Sequence, residues 1–273
     1  MLVSGATQLA GVIGWPVEHS RSPAIHNAAA AAAGVDLVYV ALRVKPGDGA
    51  AAAASMRTLG IRGLSVTMPH KVDVIDALDE LTDVARTLGA VNHITNTDGH
   101  LVGNNTDGAG FVAGLKFDAG IDLDAKTVGV FGSGSAAKAI VLGCANAGAQ
   151  VVVVGRDSSR AQKAAEVAGD RASVGSLSDL AGVDVAVNAT PIGMERGEGA
   201  GEVPFDVAMF GPETAVVDIV YTPLETALLR SAANRGLATV DGLSMLVGQA
   251  GAQFEAWTGA QAPLQAMREA ARH

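Results

Sequence analysis

Polar residues that could bind one small ligand recur at the ends of predicted strands in the first part of the chain. Six of them fall at or near such ends: Ser20, Ser22, Thr67, Lys71, Asn92 and Asp107. In open α/β sheets the ligand crevice lies beyond the carboxyl ends of the strands. Each residue alone has an ordinary explanation, because Ser22 could cap a helix, Ser20 could form a local turn, and a lone lysine is most often a surface residue. Six together are harder to explain by coincidence, so the sequence predicts a polar small-molecule site.

A glycine-rich turn in the second half of the chain indicates a dinucleotide site. A buried strand is predicted at 127–131, and the pattern G-x-G-x-x-A follows it at 132–137, before a helix. Gly132 permits the tight turn, Gly134 lets a pyrophosphate approach the backbone, and Ala137 allows the helix to pack closely on the strand. The free N–H groups at the start of the helix bind phosphate oxygens. A glycine turn in any strand–helix–strand unit would look the same.

The end of the next strand favours NADP over NAD. An NAD site typically has Asp or Glu there, which accepts from the ribose 2′-hydroxyl, whereas an NADP site has Arg for the 2′-phosphate. Arg156 occupies this position, and Arg160 lies one helical turn further on. Asp157 is the competing feature, because its carboxylate could face a ribose or cap the helix. Two solvated surface arginines are the ordinary alternative.

Strand-like and helical segments alternate along the whole chain. Strands are predicted at 8–14, 35–42, 63–67, 91–97, 100–102, 127–131, 150–155, 183–188, 215–220 and 237–240. Helices are predicted at 22–33, 48–59, 80–88, 107–117, 135–147, 158–168, 224–234, 244–257 and 262–271. This alternation predicts an α/β architecture with mostly parallel sheets. The series that begins at 127 is self-contained, so we expect two α/β domains with a boundary near 107–122.

Composition excludes several classes of protein. The chain has 273 residues, 49% of them apolar, and a formal net charge of −9 with no run of Lys or Arg, which argues against nucleic-acid binding. The apolar segments are too short to span a membrane, and the N-terminus lacks the pattern of a secretory signal. The single cysteine, Cys144, excludes an intramolecular disulfide and fits a reducing compartment. The histidines are not spaced as metal ligands. We therefore expect a cytoplasmic protein with no metal, nucleic-acid or membrane partner.

Six ordered motifs resemble those of the shikimate dehydrogenase family and cover nearly the whole chain. They are H-S-x-S-P-x-x-H-N at 19–27, V-T-x-P-x-K at 66–71, G-A-V-N at 89–92, N-T-D-G at 105–108, N-A-T-x-x-G-M at 188–194 and D-G-x-x-M-L-x-x-Q-A at 241–250. The resemblance implies interconversion of 3-dehydroshikimate and shikimate with NADP(H), in the route to chorismate and the aromatic amino acids. It also implies a substrate domain at 1–107, completed by C-terminal helices at 243–273, and a Rossmann-type NADP-binding domain at 108–242.

The resemblance further implies a role for each matching residue. Lys71 and Asp107 would form the catalytic pair, with the lysine stabilising charge on the substrate oxygen and moving a proton. The substrate would be held by Ser20, Ser22, Thr67, Asn92 and Gln249, with Tyr221 nearby. The dinucleotide phosphates would be bound by Gly132, Ser133, Gly134, Ser135 and Ala136, and the 2′-phosphate by Arg156 and Arg160. The nicotinamide side would be lined by Thr190, Met194, Ile219, Gly242 and Met245.

Three departures from the family pattern leave alternatives open. The phosphate loop is G-S-G-S instead of G-A-G-G, Ser65 stands where the family often has Asn, and G-R-D at 155–157 replaces N-R-T. The last change weakens the preference for NADP. The nearest alternative is a quinate or aminoshikimate dehydrogenase that uses NAD. A binding protein of the same fold without turnover is a further alternative. Either a monomer or a homodimer would be compatible with the sequence.

Overall fold

The computed structural model describes residues 3–195 and 199–272, which divide into two compact units. The first unit comprises the residues up to Thr106 and those from Gln249 onward, and the second comprises Asp107–Gly248. The sequence places the domain limits after 107 and after 242. The assignment of a substrate role to the first unit and a cofactor role to the second stays a prediction.

The first unit is built on a six-stranded sheet. Its strands are β1 (Gln8–Gly14), β2 (Leu37–Arg43), β3 (Gly63–Val66), β4 (Glu80–Leu81), β5 (His93–Thr97) and β6 (His100–Asn104). Its first helices are α1 (Ser22–Ala33), α2 (Gly49–Leu59) and α3 (Asp83–Leu88). The strand order is β2-β1-β3-β5-β6-β4, in which β1 runs parallel to β2 and β3, and β5 runs antiparallel to β3 and β6.

The second unit is built on a six-stranded sheet whose strand pairs are all parallel. Its strands are β7 (Thr127–Phe131), β8 (Gln150–Val154), β9 (Ala172–Val174), β10 (Val185–Asn188), β11 (Ala215–Asp218) and β12 (Ala238–Val240). The helices from here to the end of the chain are α4 (Asp107–Ala119), α5 (Ser135–Asn146), α6 (Ser158–Ala165), α7 (Ala227–Asn234), α8 (Leu243–Thr258) and α9 (Leu264–Ala270). The strand order is β12-β11-β10-β7-β8-β9. From β7 the chain adds β8 and β9 on one side and then β10, β11 and β12 on the other, as in Rossmann-type sheets.

Valine-rich strands form the second sheet because both of its faces are covered. Successive side chains of a strand point to opposite faces, so β7 contributes Val128 and Val130 to one apolar cluster and Phe131 to another. β10 and β11 are buried along their whole length. The carboxyl ends of these strands therefore emerge from a rigid core.

The predicted α/β class with mostly parallel strands is confirmed. β5 and β6 are joined by a tight hairpin at Asp98-Gly99, and both residues have the positive φ that such a turn requires. The helix predicted at 80–88 is wrong at its start, because Glu80–Leu81 pair with β6 and Thr82 caps the helix that follows. None of the helices in residues 3–195 and 199–272 has both the length and the apolarity needed to cross a bilayer.

Candidate active site

Two predicted substrate residues, Thr67 and Asn92, lie at one edge of the first sheet. The Thr67 N–H donates to the Ile13 carbonyl at 3.0 Å, and the Val66 N–H donates to the Asn92 carbonyl at 2.8 Å. The end of β3 therefore lies between the end of β1 and the start of β5. Asn92 is buried and Thr67 is half-buried.

Lys71 is held at the same edge through its main chain. Its carbonyl accepts from the Val91 N–H at 2.7 Å. His70, which is fully buried, fixes the turn before it, with Nε2 2.8 Å from the Val44 carbonyl and Nδ1 3.2 Å from Asp73 Oδ2. The half-buried Lys71 side chain thus extends from an anchored turn, not from a free surface loop.

The two serines lie in the connection from β1 to α1. Ser22 is the first residue of α1 and follows its N-cap, Arg21, so the interpretation of Ser22 as a helix cap is wrong. The Ser22 N–H donates to Ser20 Oγ at 3.3 Å. This bond forms the local turn that the sequence offered for Ser20. Ser22 is buried.

Gln249 belongs to a buried network that sequence reasoning missed. Gln253, one turn further along α8, donates from Nε2 to Gln249 Oε1 at 2.7 Å and to Thr106 Oγ1 at 3.1 Å. The Thr106 N–H donates to Asn92 Oδ1 at 2.8 Å, and the Ser65 hydroxyl donates to Gln253 Oε1. The Q-x-x-x-Q spacing on one helix face is the signal that could have identified Gln253.

A stack of rings lies beneath this network. His26 is parallel to Tyr39 with ring centroids 4.2 Å apart, and Trp257 lies 5.2 Å from both His26 and His93. Within the described residues, neither ring nitrogen of His26 has a hydrogen-bond partner. Burial lowers the pKa of His26 to about 3 and that of His93 to about 4. Both imidazoles are therefore neutral at pH 7.

These two histidines should make the first unit sensitive to acid. Their pKa values are near 6.5 when unfolded and are depressed in the fold, so the unfolded chain binds more protons below pH 6.5. The contribution of these two histidines to the free energy of unfolding is therefore fully present above pH 6.5 and is lost as the pH falls toward 4. Between pH 7 and pH 5 each histidine should remove about 2 kcal/mol from the free energy of unfolding. Urea denaturation followed by tryptophan fluorescence measures this, and His26→Phe should reduce the loss by about half. An equal loss in the variant would contradict the assignment to His26.

In the second unit, Asp107 is the first residue of a helix held by backbone contacts. Asp107 is 9% exposed. A Cβ on Gly108 would overlap the backbone of α5, where Gly143 in turn packs on Gly108. A Cβ on Gly248 of α8 would overlap the Gly110 carbonyl. Because the backbone of α4 is in direct contact with the backbones of α5 and α8, α4 has little freedom to move. The main-chain position of Asp107, at the start of α4, is therefore fixed.

The loop after β7 fits a dinucleotide phosphate. Gly132 has φ of 136°, and a Cβ there would lie 2.7 Å from the Ala189 carbonyl, so this position requires glycine. Gly134 is the N-cap of α5, and among the described residues nothing lies within 4 Å of the position its Cβ would take. Open space therefore adjoins the first turn of α5, whose N–H groups point toward the start of the helix, and this arrangement suits an anion.

The predicted nicotinamide residues, and Tyr221 of the predicted substrate set, follow the ends of parallel strands in the same sheet. Thr190 and Met194 follow β10, Ile219 and the half-buried Tyr221 follow β11, and Gly242 and Met245 follow β12. The structure brings two pairs of them together. The Thr190 methyl lies 3.2 Å from where a Gly132 Cβ would be, and Gly242 packs directly on the Ile219 carbonyl.

A buried carboxylate holds the loop after β10. Asp218 accepts from Asn188 Nδ2 at 2.9 Å and from the Thr226 hydroxyl at 2.7 Å. The Asn188 amide also accepts from the Thr190 hydroxyl at 2.7 Å. Burial raises the pKa of Asp218, against the hydrogen bonds that stabilise its charged form. Asp218 was missed from sequence, although it stands at a strand end as the other predicted residues do.

Arg156 and Arg160 are both exposed just beyond β8. Asp157 is the N-cap of α6 and accepts from the Arg160 N–H at 3.0 Å. Of the two roles considered for Asp157, the structure shows helix capping. The two guanidinium groups lie on the first turn after the strand, where a 2′-phosphate contact was predicted.

Models of known families match both ends of the chain and its middle. One described as the shikimate dehydrogenase substrate binding domain matches residues 12–94, and one described as the shikimate 5′-dehydrogenase C-terminal domain matches residues 242–272. A model described as NADP oxidoreductase, coenzyme F420-dependent, matches residues 127–195.

Individual relatives are similar over nearly their whole lengths. The shikimate dehydrogenase (NADP(+)) of Moorella thermoacetica is 42% identical over 279 aligned residues, which cover 97% of this chain and 92% of the relative. The crystal structure of shikimate 5-dehydrogenase from Thermus thermophilus, in complex with NADP(H) and shikimate, has a TM-score of 0.89 at 34% identity and covers 97% of this chain and 99% of that one. The quinate dehydrogenase from Corynebacterium glutamicum, in complex with NAD, has a TM-score of 0.86 at 33% identity and covers 97% and 98%.

Proposed function

Because the chain belongs to the shikimate dehydrogenase family, we propose that it interconverts 3-dehydroshikimate and shikimate by hydride transfer with NADP(H). The observation that carries the proposal is the edge of the first sheet, where separate main-chain hydrogen bonds to neighbouring segments hold Thr67, Lys71 and Asn92. A hydroxyl, an ammonium group and an amide suit a ligand rich in hydroxyl and carboxylate oxygens.

Lys71 and Asp107 carry the proton chemistry in this proposal. When bound, NADPH supplies the hydride that reduces the ring ketone. The Lys71 ammonium stabilises the negative charge that develops on the ketone oxygen and gives that oxygen a proton. In the reverse direction the neutral Lys71 amine accepts the hydroxyl proton. Asp107 orients the lysine and the substrate hydroxyl.

The other polar residues fix the orientation of the substrate and the cofactor. The proposed substrate contacts are Ser20, Ser22, Thr67, Asn92, Tyr221 and Gln249. The proposed phosphate contacts are the N–H groups of residues 132–136, with Arg156 and Arg160 on the 2′-phosphate. The proposed nicotinamide contacts are Thr190, Met194, Ile219, Gly242 and Met245. The fixed φ of Gly132 and the open space beside Gly134 support the phosphate assignment.

Removing the Arg156 guanidinium should weaken the binding of NADP more than the binding of NAD. A charged hydrogen bond to a phosphate contributes a factor of about 10 to 100 in affinity. Arg156→Ala should therefore raise KM for NADP by about that factor and leave KM for NAD within about twofold. Initial rates at varied cofactor concentration measure both constants. Arg235→Ala, which removes an exposed arginine at the end of α7, is the matched control. Equal changes in the two constants would assign Arg156 no part in the preference.

Four initial-rate measurements test the function itself. Shikimate and quinate are each assayed with NADP and with NAD, by the absorbance of the reduced nicotinamide. We expect the highest kcat/KM for shikimate with NADP. Preference for quinate with NAD would replace the proposal by the nearest alternative. Nucleotide binding without any substrate-dependent change in absorbance would favour a binding protein.

The proposal also covers the cellular location, the partners and the oligomeric state of the protein. The buried free Cys144 fits a reducing compartment, so the cytoplasm is the proposed location. The net charge of −9 argues against a nucleic-acid partner, and we propose small molecules as the only ligands. Either a monomer or a homodimer is compatible with this chemistry, and light scattering distinguishes the two.

A further inference from the structure

A chain of hydrogen bonds runs through the buried side of the first unit and ends on Gln249. The Tyr39 hydroxyl donates to Ser65 Oγ at 2.6 Å, and the Ser65 hydroxyl donates to Gln253 Oε1. Gln253 Nε2 then donates to Gln249 Oε1 at 2.7 Å. Tyr39 and Gln253 are each 1% exposed, so water does not compete for these bonds.

The direction of this chain is set at Gln253. Its Nε2 faces the main-chain carbonyl of Asn92 at 3.4 Å and Thr106 Oγ1 at 3.1 Å. A main-chain carbonyl can only accept, so the amino group of the Gln253 amide must lie on this side. The amide oxygen then faces Ser65, which must donate to it. Since a hydroxyl has one proton, Ser65 in turn accepts from Tyr39.

One end of the chain is a residue of the proposed substrate site. Gln249 accepts from Gln253 through Oε1, so the other corner of its amide, which is turned away from Gln253, is the N–H donor. At the other end, the Tyr39 hydroxyl gives its proton to Ser65.

We propose that Gln253 is a positioning residue that makes Gln249 a hydrogen-bond donor toward the substrate. The ligand group that Gln249 recognises is then an oxygen acceptor, such as a carboxylate or a hydroxyl oxygen. Ser65, which stands where the family often has Asn, holds the other end of the Gln253 amide. The inference rests on the proposed function, and Gln253 acts only through its neighbour.

The substitution Gln253→Glu tests this role with little change of shape. It replaces the Nε2 donor by an oxygen, so Gln249 loses the bond that orients its amide. KM for shikimate should rise about tenfold, the size of one lost hydrogen bond, while KM for NADP stays within about twofold. Gln265→Glu, on the exposed face of α9, is the matched control. An unchanged KM for shikimate would overturn the proposal.

Repeating the substitution in a chain that lacks the Gln249 side chain distinguishes an effect on the orientation of Gln249 from a general effect on the structure. In a Gln249→Ala chain, Gln253→Glu should change KM for shikimate by less than about twofold, because the residue it orients is gone. A full tenfold effect in that background would overturn the proposal. If circular dichroism shows that Gln253→Glu does not fold, Ser65→Ala takes its place and should raise KM severalfold, again only when Gln249 is present. Turnover of shikimate by the parent chain tests the proposed function separately from these ratios.

Discussion

Replacing Lys71 with alanine is expected to lower kcat for shikimate with NADP by about 10²–10⁴-fold. The substitution removes the group that is proposed to take the hydroxyl proton during oxidation and to stabilise charge on the oxygen during reduction. Lys71 lies on an anchored turn, with its carbonyl bonded to Val91 and His70 buried beside it, so the fold should tolerate the change. Steady-state rates in both directions, followed by nicotinamide absorbance, measure the loss.

A surface lysine provides the matched control for this experiment. Lys45 is exposed in the same unit, in the segment after β2. Lys45→Ala should leave kcat within about twofold of the parent. Near-parental turnover in Lys71→Ala, with the affinity for shikimate intact, would remove Lys71 from the catalytic role.

Adding a single methyl group to Gly248 should destabilise the second unit strongly. In an ordinary helix, glycine to alanine stabilises by about 1 kcal/mol, because glycine has the poorer helix propensity of the two. At Gly248 the new Cβ would overlap the Gly110 carbonyl oxygen of α4, and neither helix backbone can move aside cheaply. We therefore expect Gly248→Ala to lower the free energy of unfolding by about 3 kcal/mol. Urea denaturation followed by circular dichroism measures it.

Gly182→Ala is the matched control for the added methyl group. Among the described residues, nothing lies within 4 Å of the place its Cβ would take, and its φ is not in the left-handed region. Its free energy of unfolding should stay within about 1 kcal/mol of the parent. A Gly248→Ala chain as stable as this control would show that α4 and α8 can separate without cost.

The sequence predicted those parts of the fold and site that depend on local patterns. Valine runs such as 151–154 identify buried strands, and residues just beyond a parallel strand share one sheet edge, which places Thr67 and Arg156 correctly relative to β3 and β8. Short elements escaped prediction. β9 has three residues and lies against a 3-10 turn at Glu166–Arg171, so too few positions exist for a periodic signal.

The buried network beneath the site could not be predicted because its members are distant in sequence. Ser65 and Gln253 are 188 positions apart, and Tyr39 and Ser65 are 26 apart. Each has an ordinary type for its strand or helix, and only the packing of α8 on the sheet makes them partners. Asp157 shows the opposite case, because a local rule, helix capping, is one of its two predicted alternatives and is the one that the structure shows.

The glycine contact between α4 and α5 bears on how cofactor preference can diverge in evolution. The helix that begins at Asp107 and the one that begins beside the phosphate loop meet through Gly108 and Gly143, with no side chain between them. The spacing between Asp107 and the proposed phosphate loop is therefore set by backbone geometry and is insensitive to changes in side chains. The choice between NADP and NAD, in contrast, is proposed to depend on Arg156 and Arg160, two exposed side chains after another strand. Under this proposal, surface substitutions after β8 can exchange one nucleotide for the other while the proposed proton-transfer residue Asp107 is inherited unchanged.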